Sequence, residues 1–358
     1  MVTIEKSRFN EIIRQIQEER EKVEAVDTDI NDKILIVDGL NTFIRSFSVN
    51  PSVNEDGIHI GGMTGFLLSI GYAIRTLKVT RCIIVFDGKG GSQRRRKIYP
   101  EYKSKRKPSV RYNRSDSVAD LRDEKQSMMM QLSRLVEYLD QLPVSTIVIE
   151  NVEADDVMAY IATDILNEEK NKVILMSSDK DFLQLVDNRI SVWSPTKKKL
   201  YEPELVEEDY EVPSHNFLTY RTLTGDKSDN IKGVRGAGLK TLKKRIPDLF
   251  TDKIMNVIDV VEYCKEKKGK YKIYGDIIDN EDQLKLNCVL MQLFDVNISG
   301  NAKLKIQEAV RKTINRTIKF KFQKLILEDK LYSAIPNVDY WLKNTFRFLD
   351  SLIENDNE

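Results

Sequence analysis

Short apolar runs in this chain keep ending in carboxylates. Between Asp38 and Asp229 nine acids fall in five clusters: ILIVDG (Asp38), IIVFDGKGG (Asp87), VEADDVMAY (Glu153, Asp155, Asp156), ILMSSDKDF (Asp179, Asp181) and TGDKSDNIKGV (Asp226, Asp229). The apolar runs themselves predict strands at 34–37, 82–86, 146–149, 173–176 and 190–193. Segments of helical period separate them. Met63, Phe66, Leu67, Ile70, Ile74 and Leu77 step by three and four, and so do Met128, Leu132, Leu135, Leu139 and Leu142, in a helix over about 117–142 that stops at Pro143. A helix from about Glu153 and another near 181–186 continue the alternation. Strands alternating with helices imply an α/β fold around a central, mostly parallel sheet with right-handed crossovers.

In such sheets ligands bind beyond the carboxyl ends of the strands. Asp38, Asp87 and Asp179 each fall just past a strand's last apolar residue, and Glu153 opens the segment after another. Convergence of so many carboxylates is tolerated only if something cationic sits among them. Oxygen donors with no histidine in any cluster indicate a hard divalent ion, Mg²⁺ or Mn²⁺, rather than zinc. Glu153 and Asp156 share one helix face, while Asp155 points roughly 100° away. Asp226 and Asp229 repeat the three-residue spacing, and Asp179 and Asp181 are two apart. A lone pair of this kind could serve to balance a helix N-terminus, but five clusters at successive strand ends point to a metal pocket. Two hard cations roughly 4 Å apart suit in-line attack of water on a phosphodiester.

The chain has 358 residues and a formal net charge of +1, with charged residues at 32%. That near-neutrality hides segregation: Lys89 to Arg114 holds eleven Lys or Arg against one acid, Glu101. The stretch KGGSQRRRKIYPEYKSKRKPSVRYNR interleaves cations with Tyr99, Tyr102 and Tyr112, as a binder of single-stranded nucleic acid requires. Pro100 and Pro108 make one long regular element there improbable. Three scattered cysteines (Cys82, Cys264, Cys288) with no CxxC argue against disulfides and a zinc site and for a reducing cytoplasm. The charged first thirty residues lack a signal peptide, apolar positions at 4, 9, 12, 13 and 16 suggest an amphipathic helix over 3–24, and no run is long enough to span a membrane.

His59 and His215 sit alone in polar loops and read as incidental, and no GxSxG elbow is present. Gly233, Gly236 and Gly238 form GxxGxG with no strand before them, which makes a dinucleotide site a weak reading. Ahead of a lysine-rich helix they would instead let backbone N–H groups approach a phosphate. Beyond about 210 the pattern is helical.

Taken together, VDG, FDGKGG, PEYKSKR, VEADD, SSDKDF and GDKSDNIKGVRGAG, in this order over roughly 33–245, resemble the structure-specific 5′-nucleases: flap endonucleases, the 5′-nuclease domain of bacterial DNA polymerase I, and phage 5′-exonucleases, including phage ribonuclease H. WSPTKKK (193–199) looks most like the phage members. The resemblance implies a PIN-like nuclease core, a helical arch and a helix-three-turn-helix element. It implies that Asp38, Asp87, Glu153, Asp155 and Asp156 hold a first metal and that Asp179, Asp181, Asp226 and Asp229 serve a second. Lys103 and Arg95 would fall on arch positions that contact the scissile phosphate. Tyr102 would stack on a base, and Arg94, Lys105 and Arg106 would follow the nucleic acid. Gly233, Gly236, Gly238 and Lys240 would grip the duplex backbone, with K⁺ held by the turn's carbonyls.

The expected organisation is therefore an N-terminal helical extension (1–31), a nuclease core (32–210) with a basic arch at about 89–130, and a helical DNA-binding region (211–358). The expected activity is 5′→3′ exonuclease and flap endonuclease cleavage of DNA or RNA–DNA hybrids, removing RNA primers and 5′ flaps in phage replication. The enzyme is expected to be a cytoplasmic monomer without membrane contact, whose acidic tail (ENDNE) or terminal helices bind a replication partner such as a single-strand-binding protein. Two other readings stand beside it: a compact PIN-type ribonuclease, which would lack both the arch and the glycine turn, and a metal-free DNA-binding scaffold, which should have lost some of the nine carboxylates.

Overall fold

The computed structural model describes residues 30–105 and 121–353. The N-terminal helix expected over 3–24, Arg106 and the acidic tail lie outside the described residues. The five expected strands are present as β1 (Lys33–Asp38), β2 (Arg81–Asp87), β3 (Ser145–Ile149), β4 (Lys172–Met176) and β5 (Ile190–Ser194). They pair in parallel in the order β3-β2-β1-β4-β5. One strand escaped the sequence reading: β6 (Lys199–Tyr201) returns antiparallel along β5 and closes that edge. Its three residues carry too little apolar pattern to be told from a loop.

The chain runs outward in one direction from β1 through β2 to β3, and in the other from β4 through β5. Strand order therefore reverses between β1 and β4, and a crevice opens outside their carboxyl ends. Ile34, Ile36, Ile83, Val85, Val173 and Leu175 feed one face of the sheet, which packs on the helix 154–160, on the 3₁₀ turn that carries Phe182 and on the helix that carries Phe217. Leu35, Val37, Cys82, Ile84, Ile174 and Met176 feed the other. There they meet α1 (Gly39–Val49), α2 (Gly61–Leu77) and the end of α4 (Leu121–Leu139); α3 (Gln93–Ile98) opens the basic stretch. A strand buried on both faces has no polar alternation, which is why the runs read as continuous hydrophobics.

Helix α5 (Ala154–Tyr160) follows the edge strand β3, and α6 (Pro203–Tyr210) and α7 (Ser214–Thr224) follow the opposite edge strand β6. A separate core of Leu223, Leu242, Leu249, Val260, Val261, Ile277 and Leu284 holds α7, α8 (Leu239–Arg245), α9 (Val257–Glu266), α10 (Lys272–Asp279) and α11 (Glu281–Met291) together. The chain then comes back. Leu293, Val296, Ile306 and Val310, the last two from α12 (Gly300–Arg311), join the first sheet face. Phe322 and Ile326 of α13 (Lys319–Glu328) and Trp341, Phe346 and Leu349 of α14 (Val338–Leu352) join the second. No described helix is long and apolar enough to cross a membrane.

Both histidines were expected to be incidental; His59 is not. It is buried against Phe47, its Nε2 lies 2.8 Å from the Asn50 carbonyl and its Nδ1 lies 2.9 Å from Gln131 Nε2. The Gln131 carbonyl oxygen in turn accepts the Gly62 and Met63 N–H groups, so α4 caps the start of α2. This pin fixes the helix that follows the basic stretch.

Candidate metal and nucleic-acid site

Each carboxylate reaches the crevice by a local rule. Asp38 ends β1 and caps α1, its Oδ1 accepting the Asn41 N–H at 3.1 Å, while Ser177 Oγ donates to Oδ2 at 2.9 Å. Asp87 ends β2 and accepts the Ala154 N–H at 3.0 Å, capping α5 from the neighbouring strand. Asp179 follows β4 and caps the 3₁₀ turn Lys180–Leu185 by accepting the Asp181 N–H at 2.9 Å. Strand ends and helix starts coincide here, so the residues that best cap a helix also line the crevice.

Helix α5 divides its acids as their spacing requires. Glu153 and Asp156 turn to one side and clasp Arg95. That guanidinium pairs with Glu153, reaches both Asp156 oxygens at 2.9 and 2.7 Å, and donates its Nε–H to the Leu290 carbonyl at 2.9 Å. Arg94 adds a longer contact to Asp156 at 3.4 Å, and Lys103 pairs with Glu153. Burial alone would raise Glu153, but Arg95 and Lys103 hold it below the ordinary carboxylate range. Asp155 points the other way and accepts no hydrogen bond from a described residue. Burial drives it well above the usual value; Lys103 opposes this, and Asp179 and Asp38 add to it.

The remaining acids share that imbalance. Asp38 is pushed up to about 7 by burial, against the Asn41 and Ser177 hydrogen bonds and with the help of Asp87 and Asp179. Asp179 is raised by burial, with Asp229 and Asp226 nearby. Asp181 is pushed up to about 7 by burial and by Asp179, with Arg221 opposing. Asp226 is held low: burial would raise it, but Ser228 and Arg221 prevail. Protein cations are shared unevenly among the nine acids. Glu153 and Asp156 belong to a protein-neutralised clasp, and Asp179 stands between Asp38 and Asp155 on one side and the Asp181, Asp226 and Asp229 group on the other.

Two residues of the basic stretch lie deeper than its composition suggests. Tyr102 was expected to stack on a base, yet its ring is 3% exposed, packed with Ile231, Leu290 and Met291, and its hydroxyl donates to Glu153 at 3.3 Å. Arg95, expected at the scissile phosphate, is 4% exposed with its donors already taken by carboxylates and a carbonyl. Lys103 is the cation that borders the open acids. Burial would lower it, but Asp155, Glu153 and Asp229 hold it up and charged. Its backbone is left-handed (φ 54°) and its N–H donates to the Asp229 carbonyl at 2.9 Å. Lys105 is exposed where the described part of the stretch ends, and Arg106 lies outside the described residues.

The base of the basic stretch is fastened to the GDKSDN loop. Asn230 Nδ2 donates to the Glu101 carbonyl at 3.2 Å and to Ser104 Oγ at 3.4 Å, and Tyr99 Oη donates to the Asn230 carbonyl at 3.2 Å. Beyond it, Gly225–Asp226 and Ile231–Lys232 form a two-stranded ribbon. Gly233 is required there because a Cβ would fall 2.2 Å from the Thr224 carbonyl carbon; Gly236 has φ +84°. Gly233, Gly236, Gly238 and Lys240 are all exposed on one continuous stretch.

Reasoning from the sequence missed Ser177, Asn230 and Arg221. Arg221 on α7 donates its Nε–H to Asp181 at 2.8 Å and pairs with Asp226. The first two sit beside recognised acids and could have been suspected; Arg221 lies forty residues from Asp181 and gives no local signal.

Residues 33–211 match the model of the 5′-3′ exonuclease N-terminal resolvase-like domain. A 5′-3′ exonuclease of Buchnera aphidicola (Acyrthosiphon pisum strain) is 30% identical over 212 residues, covering 59% of this chain and 68% of that one. The chain belongs to the 5′-3′ exonuclease family. The thermostable DNA polymerase I of Thermus thermophilus is 28% identical over 262 residues, 73% of this chain but 29% of the polymerase. The fold of this chain is that of the bacteriophage T5 flap endonuclease, solved in a pseudo-enzyme–product complex with DNA and metal ions (23% identity, TM-score 0.58, covering 83% of this chain and 99% of that one). The T5 5′-exonuclease with bound zinc ions is similar (22% identity, TM-score 0.59, covering 83% and 98%).

The donor set suits a divalent cation. Asp38, Asp155, Asp179 and Asp181 are oxygen donors whose proton affinity is raised by burial and by one another because no protein cation balances them fully, a deficit that a hard ion would fill. Among the described residues no three donors are gathered closely enough to form a ready-made cage. The fit therefore rests on donor chemistry and charge.

Proposed function

We propose that this 5′-3′ exonuclease family member hydrolyses phosphodiester bonds near the 5′ ends of DNA flaps and of RNA in RNA–DNA hybrids, removing primers and flaps during phage DNA replication. The observation that carries the reading is the convergence of Asp38, Asp155 and Asp179 on the strand-order reversal, under-neutralised, with Lys103 at their border. Asp38, Asp87, Asp155 and Asp179 would hold one Mg²⁺ or Mn²⁺; Asp181 and Asp229, with Asp179, would hold a second. Bound divalent ions supply Lewis acidity to the attacking water and the scissile phosphate.

The protein's own part is positional. Arg95 braces Glu153 and Asp156, which fixes α5 and so aims Asp155 at the crevice. Lys103, set by Asn230 and by the Asp229 carbonyl, offers a charged donor to a phosphate next to the carboxylates. The basic stretch passes the single-stranded 5′ end, with Arg94, Lys105 and Arg106 along the phosphates. Gly233, Gly236, Gly238 and Lys240 face the duplex, and the turn carrying them would take a K⁺ ion on its carbonyls. The expected nuclease unit of 32–210, with its arch at 89–130, is completed by the segments from Leu293 onward that rejoin its sheet, and the helical unit between them would bind DNA. Residues 340–358 would recruit a single-strand-binding protein to a monomeric enzyme in the host cytoplasm.

Cleavage of a 5′-flap duplex with and without Mg²⁺, followed by product-end analysis, tests the reading. Metal-dependent release of 5′-phosphate products from DNA and hybrid substrates is the expected result. Retained binding without cleavage in the presence of metal would leave a DNA-binding scaffold instead.

A further inference from the structure

We propose that Arg221 is a resident counter-charge that sets how tightly the second metal position binds its ion. The inference rests on the reading that Asp179, Asp181 and Asp229 receive that ion.

Arg221 projects from α7 into the acidic group, and each of its three nitrogens is engaged. Nε donates to Asp181 Oδ1 at 2.8 Å, one terminal nitrogen pairs with Asp226 Oδ2, and the other donates to the Gly225 carbonyl at 3.3 Å. The opposite oxygen of Asp226 is filled too, accepting Ser228 N–H at 2.6 Å, Ser228 Oγ at 2.7 Å and Asp229 N–H at 3.2 Å. Asp226 Oδ1 has therefore spent its acceptor capacity inside the protein, and Oδ2 is engaged by the guanidinium. Its work is to hold Arg221 and to shape the DKSDN turn.

Asp181 differs. Only Oδ1 faces the guanidinium; Oδ2 accepts no hydrogen bond from a described residue, and neither does Asp179 Oδ2. The second position thus offers open oxygens on carboxylates one of which already shares its charge with an arginine. A divalent ion arriving there meets a fixed positive charge on the same carboxylate, and in a half-buried site that repulsion is poorly screened. The first position carries no such guanidinium: Asp155 has Lys103 as its neighbouring cation, Asp38 is held by Asn41 and Ser177, and Arg95 is committed to Glu153 and Asp156. The two positions should consequently differ in affinity, and Arg221 should account for the gap.

The test is calorimetric titration of the full chain with Ca²⁺ at pH 7.5, which reads binding without turnover, on the wild type, Arg221→Gln and Arg221→Lys, each checked for folding by circular dichroism. The wild type should show a tight and a weak step. Arg221→Gln should tighten the weak step by about tenfold or more and leave the tight step in place. Arg221→Lys, which keeps the charge but not the fork, should fall between. A weak step that is unchanged or weaker in Arg221→Gln overturns the proposal while leaving the metal site standing. No Ca²⁺ binding by the wild type overturns both. Should Arg221→Gln fail to fold, the Arg221 Nε–H resonance of ¹⁵N-labelled wild type decides: movement with the weak step supports the role, and movement with the tight step, or none, removes it.

Discussion

Helix α5 presents carboxylates to two environments one residue apart. On one side Glu153 and Asp156 are closed over by Arg95, Arg94 and Lys103. On the other, Asp155 joins Asp38 and Asp179 where mutual repulsion and burial outrun the available cations. Both sides are acidic and buried or half-buried, and residue type alone does not tell them apart. What separates them is whether the protein completes the charge itself. A completed cluster is architecture, and an incomplete one is a request for a ligand.

The comparison breaks most readily at Asp155. Asp155→Asn should lower kcat on a flap duplex by on the order of 10³-fold or more while leaving substrate binding nearly intact; a loss confined to KM would place Asp155 outside the chemistry. Asp156→Asn should retain more activity than Asp155→Asn, and equal losses would erase the distinction between the two sides.

Stability should show the reverse order. Arg95→Met strands Glu153 and Asp156 and should cost about 3–5 kcal/mol of unfolding free energy by urea titration. Asp38→Asn, by removing an unbalanced charge, should leave the metal-free protein unchanged or more stable at pH 7. A tolerated Arg95→Met would mean that the clasp holds nothing.

The pH dependence follows from the raised groups. Asp38 and Asp181 bind protons more tightly folded than unfolded, so their contribution is fully present below pH 4 and is lost as pH rises toward about 7. The melting temperature of EDTA-treated protein should carry that falling component between pH 4 and 7, and Asp38→Asn should remove part of it. Mg²⁺ should flatten it by favouring the ionised form. A metal-free profile indifferent to Asp38→Asn would contradict the raised value.

The smallest effect is expected at Asn230. Asn230→Ala removes the side-chain link between the base of the basic stretch and the GDKSDN loop, at about 1 kcal/mol of stability. Misplacement of Lys103 should lower kcat several-fold with KM little changed, measured on the same flap substrate.

Much of this architecture was legible because burial on both faces leaves continuous apolar runs, and five such runs mark the strands within one or two residues. The positions of Asp38, Asp87 and Asp179 followed from the strand ends, and the divergence of Asp155 from Glu153 and Asp156 followed from helical period. Partners could not be read in the same way. Arg95 and Tyr102 lie in a stretch whose composition advertises solvent and nucleic acid, yet tertiary contacts with Glu153, Asp156 and Leu290 draw both inside. Arg221 and Asn230 meet residues 40 and 129 positions away, and no local pattern encodes such pairs. His59 was passed over because its burial depends on Gln131, across 72 residues.

The chain leaves the sheet's core after Phe217 and rejoins it at Leu293, so the helical unit between them is inserted into the nuclease core rather than hung from its end. Gln184 bonds both Met291 and Leu293 at that return point, and it also donates to the Asp181 carbonyl. A unit tethered at one end can swing freely; one tethered at two can only pivot about the line between its anchors. One of those anchors is the turn that carries Asp181, so a rotation of the helical unit would reach the carboxylates as mechanical leverage.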